Sequence, residues 1–381
     1  MSGEVTAPES CPGPGPEVLR VGLVLEQPLM PVPGGTGRYS VQIARALAAR
    51  SSSRVSGWTA WHRDVGPARV PGVAGPHRLP LPRRALITAW ERSLGPRPHG
   101  VDVVHAPTLL APPRGRVPLV VTVHDVVPWT HPETLTPRGA RWHRAMAGLA
   151  AGTADAIVVP TAAVARELAR HVPLRHPPEV VPLGASDLSP PADPEEVMAR
   201  LRLPSGGYVL SLATAEPRKG LDVLVRAMAD RRAPAVPLLL IGARGWGGVD
   251  PAAMAAASGL AADRVRHLGA VSDADLAVVL ERATVLAVPS RAEGFGLPVV
   301  EAMAAGTAVV TSTDPALLEV GGDATVAVPV GDAVALAGAL AQVVEDAGLR
   351  GRLVAAGRRR AQEFTWARTA ESLAELYARL R

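Results

Sequence analysis

The sequence of 381 residues contains no asparagine, one lysine and one cysteine. A single cysteine, Cys11, excludes a disulfide within this sequence and a metal site built from several cysteines, which fits a reducing compartment such as the cytoplasm. No stretch approaches the roughly 20 consecutive apolar residues of a membrane-spanning helix. Residues 1–17 are rich in proline and glycine, with neither a basic start nor an apolar run, so we predict a disordered tail and no secretory signal.

Because lysine is so scarce in this sequence, its single lysine, Lys219, is of particular interest. The formal net charge is +5, and every cationic side chain except Lys219 is arginine. Arginine is a wide planar fork and lysine a compact point charge, so a retained lysine suggests a narrow place that needs a slim cation; a surface lysine kept by chance is the alternative. The arginines form no basic block with interleaved aromatics, which favours an anionic small molecule or membrane surface over nucleic acid as partner.

The length exceeds what one hydrophobic core usually supports, and two sets of alternating strands and helices are visible. Such alternation predicts an α/β fold of two Rossmann-like, doubly wound domains that face each other across a cleft. We predict an N-terminal domain over residues 18–190, a C-terminal domain over 191–364 and a final helix over 365–381, with a proline-dense linker at 173–194. The predicted strands are 19–26, 101–105, 119–124 and 156–160 in the first domain, and 208–213, 237–242, 264–268, 284–289 and 308–312 in the second.

The most informative segment is residues 290–306, Ser-Arg-Ala-Glu-Gly-Phe-Gly-Leu-Pro-Val-Val-Glu-Ala-Met-Ala-Ala-Gly. Two glycines let the backbone approach a ligand, and Pro298 suits the first turn of a helix. Exposed amides at a helix N-terminus bind phosphate, while Glu293 and Glu301 can accept hydrogen bonds from sugar hydroxyls. A helix whose glutamate merely interacts with the macrodipole is the plain alternative. The exposed amides of this predicted phosphate site belong to Gly294, Phe295 and Gly296.

A second segment, residues 213–220, directly follows a predicted strand and contains Glu-Pro-Arg-Lys-Gly. Arg218 and Lys219 lie there in a turn that ends in glycine. Two cations at the cleft edge can neutralise the charge that develops on a diphosphate leaving group. A solvated basic turn that caps the next helix would have the same sequence.

Two further segments lie at the predicted cleft edge of the N-terminal domain. The apolar strand 119–124 ends in His124 and Asp125, which favours a substrate contact over the more common structural histidine. Residues 34–39, Gly-Gly-Thr-Gly-Arg-Tyr, form a predicted turn before a helix over 39–50, in which Gly35 and Gly37 permit close backbone approach. No Gly-x-Gly-x-x-Gly follows the first strand, which disfavours a NAD-dependent dehydrogenase.

Taken together, these motifs resemble the retaining glycosyltransferases of family 4, which have the GT-B fold. The resemblance covers nearly the whole sequence after Glu17. It is carried most specifically by the Glu-x7-Glu spacing from Glu293 to Glu301, and also by the Glu-Pro-Arg-Lys-Gly run, by Val-Ser-Asp-Ala-Asp-Leu at 271–276, by the glycine segment and by the His-Asp pair.

The resemblance implies a role for each matched position. Arg218 and Lys219 would hold the donor diphosphate, Glu301 the ribose and Glu293 the transferred sugar, with His124 at the reaction centre. The remaining donor-binding positions that it implies are Gly35, Gly37, Val271, Gly294, Phe295, Gly296 and Leu297. Such enzymes need no metal and no separate cofactor: an acceptor hydroxyl attacks C1 from the face that the diphosphate leaves, and a diphosphate oxygen takes the proton.

The same combination, with Ile-Gly-Ala-Arg-Gly-Trp at 241–246, is similar to the branch that contains many mannosyltransferases, so GDP-mannose is the expected donor and UDP-sugars the alternative. The expected acceptor is a glycan, a lipid-linked molecule or a small molecule. A lipid-linked acceptor would imply peripheral contact of the cytoplasmic protein with the inner face of the membrane, through residues 83–92. A sugar-nucleotide epimerase and a non-catalytic donor-binding subunit are the competing functions.

Overall fold

The structure is a computed structural model that describes residues 18–243, 245 and 247–381. The tail predicted over residues 1–17, which includes Cys11, lies outside the described residues, as do Arg244 and Trp246 of the segment 241–246. The described residues form two sheets in which every strand pairing is parallel. This confirms the predicted α/β class with two doubly wound sheets.

The N-terminal sheet has seven strands in the order β3-β2-β1-β4-β5-β6-β7. The order reverses beside β1, which is the topological switch point where ligands bind in such folds. The elements are β1 (Leu19–Val24), α1 (Gly34–Ala48), β2 (Ser53–Trp61), β3 (Ala74–Pro82), α2 (Arg83–Glu91), β4 (Val103–Ala106), β5 (Leu119–Thr122), α3 (Val127–Thr130), α4 (Pro137–Thr153), β6 (Ala156–Val159), α5 (Ala162–His171) and β7 (Glu179–Val180).

The C-terminal sheet has six strands in the order β10-β9-β8-β11-β12-β13, with its switch point between β8 and β11. The elements are α6 (Pro194–Leu201), β8 (Val209–Leu212), α7 (Leu221–Ala229), β9 (Leu238–Ile241), α8 (Pro251–Ala257), β10 (Val265–Gly269), α9 (Asp273–Arg282), β11 (Val285–Val288), α10 (Leu297–Ala305), β12 (Ala308–Ser312), α11 (Pro315–Gly321), β13 (Val326–Val328), α12 (Ala333–Glu345), α13 (Ala347–Ala361) and α14 (Trp366–Leu380).

Side-chain caps define where many of the helices begin. In a chain without asparagine, the caps are aspartate, serine and threonine, whose oxygens accept hydrogen bonds from the first free amides of each helix. The capping residues are Thr136, Thr161, Asp193, Asp250, Ser272, Asp314, Asp332, Asp346 and Thr365.

The structure differs from the sequence predictions at three places. Helix α1 begins at Gly34 and not at Tyr39, so the predicted glycine turn is the first turn of a helix; tertiary packing overrides the poor helix propensity of glycine there. Strands β2, β3 and β13 were missed; of these, β3 is a largely exposed edge strand without an apolar run. Part of the predicted linker 173–194 forms β7, which pairs with β6.

The last helix, α14, packs against α1 of the N-terminal half. Its buried Tyr377 places its hydroxyl 2.6 Å from Nδ1 of His105 in β4. Near its start, the hydroxyl of Thr369 donates to the carbonyl of Pro182 at 2.8 Å. None of the helices in the described part of the chain combines the length and apolar character that crossing a bilayer demands.

Candidate active site

Two turns at the C-terminal edge of the second sheet form the base of the site. One follows β8 and contains Arg218 and Lys219, and the other follows the neighbouring strand β11 and contains Glu293. The amide of Arg291 donates to the carbonyl of Arg218 at 2.7 Å, which ties the turns together. Gly220 has a φ of 67°, and a Cβ there would lie 2.1 Å from the carbonyl oxygen of Pro289. Only glycine fits at this contact between the two turns.

The charged side chains of these turns converge on Glu293. Lys219 Nζ lies 2.6 Å from Glu293 Oε1, and Arg218 Nη1 lies 3.1 Å from Oε2. The other end of the Arg218 guanidinium lies 2.9 Å from Oε1 of Glu216. The hydroxyl of Ser290 donates to Glu293 Oε1 at 2.7 Å. Two cations and two carboxylates therefore share a small buried volume, and the sequence had predicted this meeting of the two turns.

Burial and charge act against each other on these carboxylates. Burial alone raises the pKa of Glu293, but Lys219 and Arg218 outweigh it and lower the pKa to about 2. For Glu216, burial prevails over the nearby cations and raises the pKa. Glu293 is therefore ionised at neutral pH, and it can accept hydrogen bonds but cannot donate a proton.

The start of α10 has the character of an anion site. Gly296, with a φ of 92°, is the residue before the helix. No residue in the described part of the chain accepts a hydrogen bond from the four amides that precede Pro298. Free amides at a helix N-terminus attract anions. The side chains around them are buried, and the ring of Phe295 packs edge-on against Phe364. The four amides belong to Gly294, Phe295, Gly296 and Leu297.

Asp314, which the sequence analysis missed, supports the Glu293 turn from below. Its Oδ1 caps α11 by accepting from the amides of Ala316 and Leu317. Its Oδ2 lies 3.3 Å from the amide of Glu293. Burial raises the pKa of Asp314 to about 6. An aspartate before a proline is a recognisable cap signal, but the contact with Glu293 has no local sequence signature.

Glu301 lies one turn into α10 and is 5% exposed. Its Oε1 accepts from the hydroxyl of Ser186 at 2.7 Å and from Arg38 Nη1 at 3.2 Å. Arg38 also contacts Asp273 Oδ1 at 2.8 Å. Asp273 opens α9, two residues after the partly buried Val271, so the predicted ribose carboxylate and the Val271 segment border one region. Neither Arg38 nor Ser186 was predicted to lie here.

His124 lies beside the Glu293 turn, on the N-terminal half of the chain. A Cβ on Gly294 would lie 1.7 Å from the carbonyl oxygen of His124, so glycine is required for this approach. The Nε2–H of His124 donates to the carbonyl of Pro107 at 2.7 Å, which leaves Nδ1 with the lone pair of a neutral ring. Burial lowers the pKa of His124, so that the ring is neutral at pH 7.

The two glycines of α1 have different surroundings. Gly35 is exposed and faces Leu297, since a Cβ on it would lie 3.6 Å from Cδ1 of that leucine. Gly37 is buried, and a Cβ on it would lie 2.5 Å from Cβ of Pro33. Gly35 thus borders the same cleft as the start of α10, whereas Gly37 fits the packing of the helix against the preceding turn.

The chain has two doubly wound parallel sheets that meet through the turns after their strands, and its final helix returns to the first sheet. This architecture defines the GT-B class of glycosyltransferases. Residues 195–360 match the model for glycosyl transferases group 1, and residues 33–187 match the model for Glycosyltransferase Family 4. The chain belongs to this family of glycosyltransferases.

Similar proteins agree with this assignment. Over 356 residues the chain is 30% identical to O-antigen chain mannosyltransferase B of Escherichia coli, covering 87% of this chain and 92% of that protein. The fold matches sucrose-phosphate synthase of Thermosynechococcus elongatus with a TM-score of 0.75 at 24% identity, over 95% of this chain and 99% of that one. It also matches Anabaena HepE, solved with UDP and glucose, with a TM-score of 0.73 at 20% identity over 95% and 100% of the two chains.

Proposed function

We propose that this glycosyltransferase transfers mannose from GDP-mannose to an acceptor hydroxyl with retention of anomeric configuration and without a metal or separate cofactor. The observation that carries the proposal is the position of Arg218 and Lys219 on Glu293, beside the free amides at the start of α10. A donor diphosphate would exchange into this cluster, since two cations and a helix N-terminus are the groups that bind a dianion.

The proposed mechanism follows from where negative charge develops as the sugar is transferred. As the bond between C1 and the diphosphate oxygen breaks, Arg218 and Lys219 stabilise the negative charge on the leaving group, which is the task a metal ion performs in other transferases. The acceptor oxygen forms its bond to C1 on the same face, and its proton passes to the departing diphosphate oxygen. Glu293, held ionised, accepts hydrogen bonds from sugar hydroxyls, and the neutral ring of His124 lines the reaction centre. Glu301 binds the ribose.

The choice of GDP-mannose as the donor rests on proteins that are similar to this chain. The E. coli protein that is similar over most of its length is named as a mannosyltransferase. HepE, similar in fold, binds UDP and glucose, so a UDP-sugar is the second candidate. Residues 191–364 would hold the donor and residues 18–190 the acceptor.

A surface on the acceptor half supports a lipid-linked acceptor at the cytoplasmic face of the membrane. Trp61 is 56% exposed and pairs in register with Pro82, directly before Arg83 and Arg84 of α2. An exposed indole beside arginines is a combination that interacts with anionic lipid interfaces. Co-sedimentation with liposomes that contain anionic lipid tests this contact, and the absence of sedimentation would contradict it.

The function itself is tested by incubating the purified protein with GDP-mannose, UDP-glucose and related donors in the presence and absence of EDTA. We expect slow release of nucleoside diphosphate from one donor without added acceptor, unaffected by EDTA, and an α-configured product from an α-configured donor by NMR. A new epimer of the donor without release would favour an epimerase. Binding without either reaction, also in the presence of a panel of acceptors, would favour a non-catalytic subunit.

A further inference from the structure

Arg38 connects the two halves of the molecule at the predicted nucleoside site. It projects from α1 of the N-terminal half, one turn after the helix begins at Gly34, and its side chain is 28% exposed. Nη1 lies 3.2 Å from Oε1 of Glu301, and Nη2 lies 2.8 Å from Oδ1 of Asp273, both in the C-terminal half. Nη1 also donates to the hydroxyl of Ser186 at 3.0 Å. The planar fork of arginine allows one guanidinium to hold two separate carboxylates.

Glu301 depends on this contact. A buried carboxylate needs a cation or hydrogen-bond donors to remain ionised. Within the described ranges, Arg38 supplies the ion pair of Glu301 and Ser186 its hydroxyl donor. Burial raises the pKa of Glu301, with a smaller contribution in the same direction from Asp273, and Arg38 opposes the rise. All the contacts described above fall on Oε1, so Oε2 is the oxygen on which a ligand hydroxyl would act.

We propose that Arg38 is a positioning residue for the donor: from the acceptor half, it orients the Glu301 carboxylate so that the carboxylate accepts hydrogen bonds from the ribose hydroxyls. Affinity for the nucleoside therefore depends on the contact between the two halves. The inference rests on the proposed function, because it takes Glu301 as the ribose ligand. It also places Arg38 apart from the diphosphate, which Arg218 and Lys219 hold.

Titration calorimetry with three ligands separates these roles. The ligands are the nucleoside diphosphate that the wild-type protein binds better, GDP or UDP, its 2′,3′-dideoxy analogue and inorganic pyrophosphate. Arg38→Ala should weaken the nucleoside diphosphate about tenfold, the order expected for a hydrogen bond to a charged group. Its affinities for the dideoxy analogue and for pyrophosphate should match those of the wild type. Arg38→Lys, which keeps the charge but loses the fork, should lie between.

Arg45→Ala is the matched control, because Arg45 is an exposed arginine of the same helix. Circular dichroism and melting temperature report whether each variant is folded. Should Arg38→Ala fail to fold, Asp273→Ala decides, because Asp273 is exposed and anchors the outer nitrogen of Arg38. We expect it to weaken the nucleoside diphosphate about threefold and pyrophosphate not at all, a loss of part of one exposed ion pair.

The outcomes distinguish the inference from the proposed function. Wild-type affinity of Arg38→Ala for the nucleoside diphosphate would overturn the inference and leave the donor site standing. Equal weakening of nucleoside diphosphate and pyrophosphate would overturn it too, since Arg38 would then bind the diphosphate. A wild-type protein that binds neither GDP nor UDP would overturn the proposed function and, with it, the role of Arg38.

Discussion

The two edges of the cleft differ in how they carry charge. On the C-terminal half, Arg218, Lys219 and Glu293 form ion pairs no longer than 3.1 Å in a mostly buried cluster. On the N-terminal half, His124 is neutral, and its Nε2–H is held by a single backbone carbonyl. Under the proposed function, the fixed charge of the first edge serves the diphosphate, and the neutral polar group of the second edge lines the reaction centre. The following variants would sharpen or break that contrast.

The largest effect is expected on the charged edge. Lys219→Ala removes one of two cations from the leaving group and should lower the rate of nucleoside diphosphate release about 10²–10³-fold, the loss typical of one group that stabilises transition-state charge. The measurement is the initial rate at saturating donor.

Lys219→Arg separates charge from size at the same position. If the narrow space beside Glu293 and Ser290 requires a slim cation, arginine should restore only part of the rate. Arg226→Ala, an exposed arginine of α7, is the control and should leave the rate unchanged. Full activity of Lys219→Ala would remove the proposed role of the lysine.

The contact between the two edges is tested by Gly294→Ala. The added Cβ would lie 1.7 Å from the carbonyl oxygen of His124, so the Glu293 turn and the His124 turn must separate. A displacement of about 1 Å near the reacting atoms costs on the order of 10²-fold in rate. Gly206→Ala, where a Cβ has open space, is the matched control, and equal rates for the two variants would show that the contact is dispensable.

The neutral edge should respond more weakly. His124→Ala should lower kcat about tenfold with little change in donor KM, since it removes one neutral hydrogen-bonding group from the reaction centre. The measurement is donor saturation kinetics. A loss as large as that of Lys219→Ala would contradict the contrast drawn between the two edges.

The smallest effect concerns Asp314 and depends on pH. Its pKa is raised to about 6, so its ionised form costs stability above pH 6, and the cost disappears as the pH falls toward the usual range of a carboxyl group. Asp314→Asn keeps one oxygen for the cap of α11 but replaces the other with an NH2 group, which cannot accept a hydrogen bond from the amide of Glu293. We expect a melting temperature about 3 °C higher at pH 7, because the costly ionised carboxylate is gone, and an activity roughly twofold lower, because the Glu293 turn loses one hydrogen bond. The variant should also lack the decline in activity that we expect of the wild type below pH 6, and an identical pH profile would refute the coupling.

The meeting of the Lys219 turn with the Glu293 turn could be predicted from the sequence because its signals are local. The run from 290 to 306 combines glycines, a proline and two glutamates within one loop and helix, and the only lysine marks the adjoining turn. Parallel strands place both turns at the same edge of the sheet. The buried strand β12 was predicted with its observed bounds, because a short apolar run in this context has no competing structure.

What the sequence did not reveal depends on contacts between distant segments. Arg38 reaches Glu301 across 263 positions, and Ser186 lies in a proline-dense stretch that carries no signal of its own. The helical start of α1 at Gly34 was hidden for a related reason, since glycine argues locally for a turn while the packing of Gly37 against Pro33 favours the helix. The exposed edge strand β3 lacks the apolar pattern by which strands are found.

A structure of the protein with GDP or UDP bound tests the central claim most directly. We expect diphosphate oxygens about 3 Å from both Lys219 Nζ and the Arg218 guanidinium, with the free amides at the start of α10 directed at the same group. A diphosphate bound elsewhere, with both cations still engaged only by Glu293 and Glu216, would contradict the account.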